Sequence, residues 1–222
     1  MNLKILDLGI CDYEKAHALQ KEILNNVYEG EDDTLILVEH PKVITMGRNA
    51  NDGNMLFSED YIKSLGYELA YIERGGDATY HGPGQLVGYP IFNIKKNHGR
   101  SIRRFVDTLE EIFIDYLGEY QGLVGRRDNS NSGVFVGNSK ITALGLAVKR
   151  GITMHGFAFN VNTALEDYQV IVPCGLTDKG VTSLEKELGA PQDMAAVKEA
   201  IITLFAKHYK FETIIRDNSI QF

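Results

Sequence analysis

Apolar residues recur along this chain in two rhythms. Residues 3–9 alternate and read as a strand, after which the period lengthens: Ala16, Leu19, Ile23 and Val27 fall on one face of a helix that Asp12 is placed to cap and that runs to about Asn26. TLILVEH (34–40) is a nearly continuous apolar run closed by a His-Pro turn, the pattern of a buried strand, and VITM (43–46) reads as its continuation. Ser58 opens a short helix that Gly66 closes, and YELAYIE (67–73) alternates again. RGGDATYHGPGQ (74–85) fits neither period. LVGYPIFNI (86–94) returns to strand, and Ser101 to about Tyr116 carries a helical stripe of Ile102, Phe105, Leu109, Ile112, Phe113 and Tyr116.

Further on, GVFVGNSKITALGLAV holds two β-rich runs around Gly137-Asn138, a two-residue hairpin signal in which glycine permits a type II′ turn. ITMHGFAFNVN (152–162) is another strand. TSLEKEL (182–188) opens with a Thr-x-x-Glu capping box, Asp193 to about Tyr209 is a final helix, and FETII ends the pattern as a strand. Strands in adjacent runs with interspersed helices predict an α+β fold: a mixed, largely antiparallel sheet with helices packed outside it. The 222 residues contain no repeat and no Pro/Ser linker, so a single domain over 1–222 is expected.

Composition narrows the function classes. At 44% hydrophobic and 24% charged the chain is an ordinary globular sequence, without an apolar run long enough to span a membrane or a charged-then-apolar leader. Two cysteines in unlike surroundings suggest no disulfide framework, and the expected compartment is the reducing cytoplasm. A net charge of −7 argues against general nucleic-acid binding. The charge is uneven, however: KKNHGRSIRR (95–104) has five basic residues and no acid. That stretch reads either as a solvated loop and first helical turn or as a landing patch for an acidic partner.

Three stretches carry candidate chemistry. RGGDATYHGPGQL (74–86) has glycines that let backbone N–H groups approach a ligand, but it lacks the Gly-Lys-Ser/Thr ending of a phosphate loop and the dinucleotide spacing. His81 there is either a polar group over a small cavity or a residue satisfied by a tight turn. Lys140 follows the hairpin turn at the start of a strand, where a lysine either snorkels to water or is held in a cleft. Cys174 stands between Pro173 and Gly175, on a stiff and uncrowded perch. A thiol titrates near 8.5, and nearby positive charge lowers that value and produces the thiolate nucleophile. Cys11, between a strand and a helix, has no such setting and reads as inert. Together these stretches suggest a cysteine nucleophile, a cation to ionise it and a Gly-rich wall, with His81 and His155 as polar neighbours. No Cys/His cluster has metal-ligand spacing, so no metal is expected.

At this point the chain resembles the lipoyl(octanoyl) transferase family. The resembling residues are RGGDATYHGPGQL (74–86), GNSKITALG (137–145), HGFAFNVN (155–162) and PCG (173–175), with HPKVITMGR (40–48) similar to the family's early His-Pro segment. The likeness runs from about residue 33 to 185. One departure is Met46, where the family more often has leucine, a volume-conserving exchange. The resemblance implies the fold of the biotin/lipoate protein ligase catalytic domain. It implies octanoyl transfer from octanoyl-acyl carrier protein to a lysine of lipoyl domains, those of 2-oxoacid dehydrogenase E2 subunits and the glycine cleavage H protein, as the first step of protein lipoylation. Cys174 is implied as the acyl-thioester nucleophile and Lys140 as its charged partner, with no cofactor. The implied substrate pocket takes Arg74, Gly75, Gly76, Asp77, Ala78, Thr79, Tyr80 and His81 from the Gly-rich loop. Ala143, Leu144 and Gly145, and then Gly156, Phe157 and Ala158, supply the rest. The small residues read either as room for an acyl tail or as close sheet packing. An ATP-dependent lipoate or biotin ligase, and a non-catalytic binder of lipoyl domains, are the competing readings. The first needs no nucleophilic cysteine and the second needs neither Lys140 nor Cys174.

Overall fold

The N-terminal alternation forms β1 (Asn2–Ile10), and the change of period after it forms α1 (Tyr13–Glu29). The computed structural model describes residues 1–48, 56–96, 99, 101–128, 131–171 and 179–217. Asp12 stands at the N-cap of α1 but makes no side-chain capping bond, because its carboxylate pairs with Lys15 at 3.0 Å. At the other end Gly30 takes φ 117° and stops the helix, three residues beyond the expected Asn26.

The run at 34–40 becomes β2 (Asp33–Glu39), and its two-sided burial has a direct cause. Leu35 and Leu37 face a core shared with α3 (Ile102–Asp115) and α5 (Met194–Tyr209), whereas Ile36 and Val38 face α1. The main sheet is thus the middle of three layers. It also contains β6 (Gln85–Ile91), β7 (Gly125–Arg126), β8 (Gly133–Val136), β9 (Ser139–Lys149), β10 (Ile152–Asn160), β11 (Gly180–Val181) and β12 (Thr213–Arg216). The order is β12-β1-β2-β6-β10-β9-β8-β7, with β11 beside β9. Pairings are antiparallel except β1 with β12, β1 with β2 and β9 with β11. Phe92 lies at the centre of the α3/α5 layer, edge-on to Phe105, Phe205, Tyr209 and Phe211. Truncating such a residue to alanine costs about 3–5 kcal/mol.

Three expectations are corrected here. VITM does not continue β2: beyond the His-Pro turn it forms β3 (Val43–Met46), which joins a second sheet of order β4-β3-β5. In that sheet β4 is Glu68–Tyr71, shorter than the alternation over 67–73, and β5 is Ala78–His81. The stretch 74–85 is therefore not wholly irregular, since Ala-Thr-Tyr-His pairs antiparallel with β3 between flanking glycines. Likewise the cap of α4 (Leu184–Leu188) is Ser183, whose Oγ accepts from the Lys186 N–H, while Thr182 Oγ1 donates to Glu187. The α2 (Glu59–Ser64), α3 and α5 starts follow the sequence, with Ser58, Ser101 and Asp193 accepting backbone N–H groups of the first turn. Among the described residues no helix is long and apolar enough to cross a membrane.

Candidate active site

Two adjoining cavities lie where the Gly-rich loop crosses β9 and β10. The loop is held down by the Gly75 N–H, which donates to Leu146 O at 3.1 Å, and by Arg74. The Arg74 guanidinium is buried and donates to Thr45 O and Oγ1 at 2.8 and 3.0 Å and to Gly75 O at 3.1 Å. Close approach is built into the sequence. A Cβ on Gly145 would stand 3.1 Å from Arg74 Cδ, and one on Gly156 would stand 2.2 Å from Gly88 O. The inner cavity is a narrow slot of about 50 Å³ that opens to solvent at its mouth. Its walls are mainly apolar: Ile72, Val87, Ala143, Leu144, Phe157 and Ala158, with Tyr13, Thr79, His81, Tyr89 and His155 as polar additions. The outer cavity shares Gly76, Leu144 and Gly145 with it and adds Gly75, Asp77, Ile102, Val106, Ser132 and Lys140.

Lys140 is positioned by the β8–β9 hairpin. Val136 pairs with Ser139 across a two-residue turn in which Gly137 takes φ 56° and Asn138 does not take a positive value, the φ pattern of a type II′ turn. The register then slips: Phe135 opposes Lys140 while Val134 opposes Thr142, leaving Ile141 as the extra residue of a bulge. Only 6% of Lys140 is exposed. Its Nζ donates to Ser132 O at 3.2 Å and lies 5.3 Å over the Phe135 ring. Lys179 Nζ and the Arg126 guanidinium carbon approach the same ring at 5.5 and 5.4 Å. Asp128 pairs with Lys179 at 2.7 Å and with Arg126 at 3.7 Å. β11 takes up pairing at Ser139 and Lys140, beyond Thr142 where β10 ends its own.

The inner cavity ends in a polar floor. His40 Nδ1–H donates to Cys11 O at 2.6 Å, so its Nε2 accepts from Tyr89 Oη at 2.7 Å. His81 Nδ1–H donates to Gln85 Oε1 at 2.8 Å, and the Gln85 amide is held in turn by Asn160 and Tyr168. Burial pushes His40 down to about 4 and His81, with His40 beside it, down to about 3. Both imidazoles are therefore neutral near pH 7. Burial also raises the Cys11 thiol, with Asp12 adding to the effect, which keeps this buried cysteine in its unreactive form.

The structure brings most of the sequence-derived site residues together. Arg74, Gly76, Thr79, His81, Ala143, Leu144, Gly145, Gly156, Phe157 and Ala158 line the inner cavity, and Gly75, Asp77 and Lys140 line the outer one. Ala78 and Tyr80 are placed elsewhere. The alternation of β5 turns them toward Ile44, Ile62 and Tyr67, and Tyr80 Oη donates to Asp167. Cys174, with Pro173 and Gly175, lies outside the described residues. Sequence reasoning missed Tyr13, Ile72, Val87 and Tyr89 as lining residues. Val87 and Tyr89 share one face of an alternating strand, a signal that was available, whereas nothing local marks Tyr13.

Comparison with known proteins agrees with this geometry. Residues 12–206 match the family described as the lipoyl protein ligase A/B catalytic domain. An octanoyltransferase of Alkaliphilus metalliredigens is 47% identical over 215 residues, covering 96% of this chain and 98% of that protein. One of Desulforamulus reducens is 46% identical over 219 residues, covering 98% and 96%. Among solved structures, a lipoate-protein ligase A bound with ATP matches with a TM-score of 0.82 at 20% identity, over 99% of this chain and 90% of that one. Biotin protein ligase from Aquifex aeolicus matches at 0.53 and 13% identity, over 95% and 69%. The last two likenesses establish the fold alone, a mixed and largely antiparallel sheet with packed helices. The chain belongs to the lipoyl protein ligase A/B catalytic domain family, and its near-full-length relatives within it are octanoyltransferases.

Proposed function

We propose that this chain is an octanoyltransferase, an acyltransferase that moves an octanoyl group from the thioester of acyl carrier protein to a lysine of a lipoyl domain through Cys174. The observation that carries the reading is the junction of the two cavities, where a buried lysine ammonium stands beside an apolar slot. In the first half-reaction the Cys174 thiolate attacks the octanoyl carbonyl, the carrier's C–S bond breaks, and the carrier thiolate leaves and takes a proton. In the second the acceptor lysine amine attacks the acyl-enzyme, the amide forms, and Cys174 leaves as thiolate while the amine proton passes to solvent or to a basic group.

Lys140 serves this chemistry as the cation that keeps the thiol ionised. In its favour, the segment carrying Cys174 rejoins the described chain at Lys179, and β11 then pairs directly with Ser139 and Lys140. The octanoyl tail lies in the inner cavity. Burying its roughly seven CH₂ and CH₃ groups at about 0.8 kcal/mol each is worth up to about 5–6 kcal/mol. Donor docking falls to the basic start of α3: Arg103 sits between Ile102 and Arg104, and Ile102 and Val106 line the outer cavity. An acidic carrier protein meets positive charge there at the mouth of the site. Lipoyl domains of 2-oxoacid dehydrogenase E2 subunits and the glycine cleavage H protein are the acceptors.

The test is mass spectrometry of the protein after incubation with octanoyl-acyl carrier protein. One octanoyl adduct is expected without ATP, none on Cys174→Ser, and a lipoyl domain should discharge it. An adduct retained by Cys174→Ser, or formed only with ATP, overturns the reading.

A further inference from the structure

Six buried side-chain nitrogen or oxygen atoms among the described residues lack a hydrogen-bond partner, and five of them belong to one place. They are Tyr13 Oη, His17 Nε2, Gln20 Nε2 and both ring nitrogens of His155. Buried polar atoms are nearly always satisfied, so five orphans in one cluster mark a polar occupant. The acyl-transfer chemistry uses none of them. His155 is 2% exposed, and its backbone holds φ 57° inside β10, a conformation that costs a non-glycine residue energy. Its N–H donates to Gln20 Oε1 at 3.0 Å, which fixes the residue against α1 while its ring stays unpartnered.

Opposite that ring stand His17 of α1 and Glu73 of the segment between β4 and β5. One ligand-type atom from each of His17, Glu73 and His155 lies within 4.8 Å of the others. The His17 Nε2–Glu73 Oε2 separation is 3.5 Å, long for a hydrogen bond. It is close to the ligand–ligand edge of a tetrahedral zinc site, about 3.3–3.4 Å for metal bonds near 2.0–2.1 Å. Along the chain the three residues are far apart, so spacing alone gave no sign of them.

We propose that His17, Glu73 and His155 form a binding site for a divalent transition metal of the zinc class. Two imidazoles and one carboxylate, without thiolate, are a zinc ligand set with a fourth position left for water. The Glu73 side chain is 43% exposed and gives the ion a way in from solvent. The orphaned Gln20 amide and Tyr13 hydroxyl supply outer partners for the water and the carboxylate. The bound ion joins α1, β10 and the residue immediately before Arg74, and so clamps the Gly-rich loop at the end of the inner cavity that His155 lines.

The test uses the full chain, free of any tag and stripped with chelator, titrated with Co²⁺ by visible absorption and with Zn²⁺ by calorimetry. One equivalent of Co²⁺ should give the ligand-field bands of a low-coordinate nitrogen/oxygen site, Zn²⁺ should displace it, and Zn²⁺ should raise the Tm. Glu73→Gln and His17→Gln should each weaken binding at least tenfold, the least that loss of even an outer partner costs. His208→Gln, on α5 and away from the cluster, should bind as the unaltered chain does. Glu73→Gln changes a half-exposed side chain and leaves folding intact. Absence of one-to-one binding, binding unaffected by Glu73→Gln and His17→Gln, or cobalt–thiolate charge-transfer bands would each overturn the assignment.

Discussion

Filling the tail slot from one wall should shorten the acyl group the enzyme prefers. The choice of residue follows from the geometry. Gly156 is unsuitable, because a Cβ there meets Gly88 O at 2.2 Å, and Gly145 presses on Arg74, so substitutions at either disturb the sheet or the loop. Ala143 is half-buried, lines the inner cavity and pairs directly with Ala158 across β9 and β10. Ala143→Leu adds three carbons to the slot and displaces about three methylenes of the tail. At about 0.8 kcal/mol per methylene the loss is about 2.4 kcal/mol. At 1.36 kcal/mol per factor of ten that is roughly a 60-fold fall in kcat/KM for the octanoyl donor. Butyryl-carrier thioester, which does not reach so deep, should lose less than about threefold. The assay is kcat/KM for butyryl, hexanoyl and octanoyl carrier thioesters on both proteins, with Tm as a control for the fold. Equal losses on all three donors would show that Ala143 acts on the reaction centre or the fold, and no loss on octanoyl would show that the tail lies elsewhere.

Lys140→Met should keep the fold but move the half-point of thiol alkylation at Cys174 upward by about one pH unit or more, since an adjacent cation is removed; an unmoved profile refutes the ion pair. Reversing Lys95, Lys96, Arg103 and Arg104 to glutamate should raise KM for the carrier-protein donor and flatten its dependence on salt, while a small thioester donor is unaffected; an unchanged KM for the carrier protein leaves these residues as a solvated surface. His40 reports on the buried floor: its unfolded value of 6.5 falls to about 4 in the fold. Below pH 6.5 the unfolded chain takes up a proton that the folded one refuses, so stability declines between about pH 6.5 and pH 4 and this contribution stops changing below that. His40→Gln should flatten that decline in chemical denaturation, and an unchanged slope would remove His40 from the linkage.

Much of the fold could be read from local patterns because most elements here are locally consistent. Ser58, Ser101 and Asp193 open their helices as caps, and Gly137 opens the hairpin that carries Lys140. The larger failures come from pairing between residues distant in sequence. Whether VITM continues β2 or enters another sheet depends on β4 and β5, and the pattern of four residues does not encode that choice. β5 itself was hidden because its strand formers sit between glycines. Of the catalytic candidates, Lys140 stood out as a lysine directly after a turn, and the structure buries it at the outer cavity; Cys174, between proline and glycine, lies outside the described residues. The cluster of Tyr13, His17, Glu73 and His155 was not legible: His155 alone stood out as a polar neighbour, and the four come together only after α1 packs on β10.

The fold alone does not choose between transfer and ATP-dependent ligation, because a ligase bound with ATP shares it at a TM-score of 0.82 with 20% identity. The choice rests on what the scaffold holds at the cavity junction. A buried ammonium is expensive to keep. The Ser132 carbonyl and the Phe135 ring offset part of that cost, and a methionine at Lys140 would pack the same space without it. The hairpin nevertheless forms a bulge at Ile141 to seat the charge there, between a narrow apolar slot and the strand that follows the Pro-Cys-Gly segment. Packing gives no reason for a cation at that point; the reading proposed above supplies one, a Cys174 thiol that the cation would keep ionised near neutral pH.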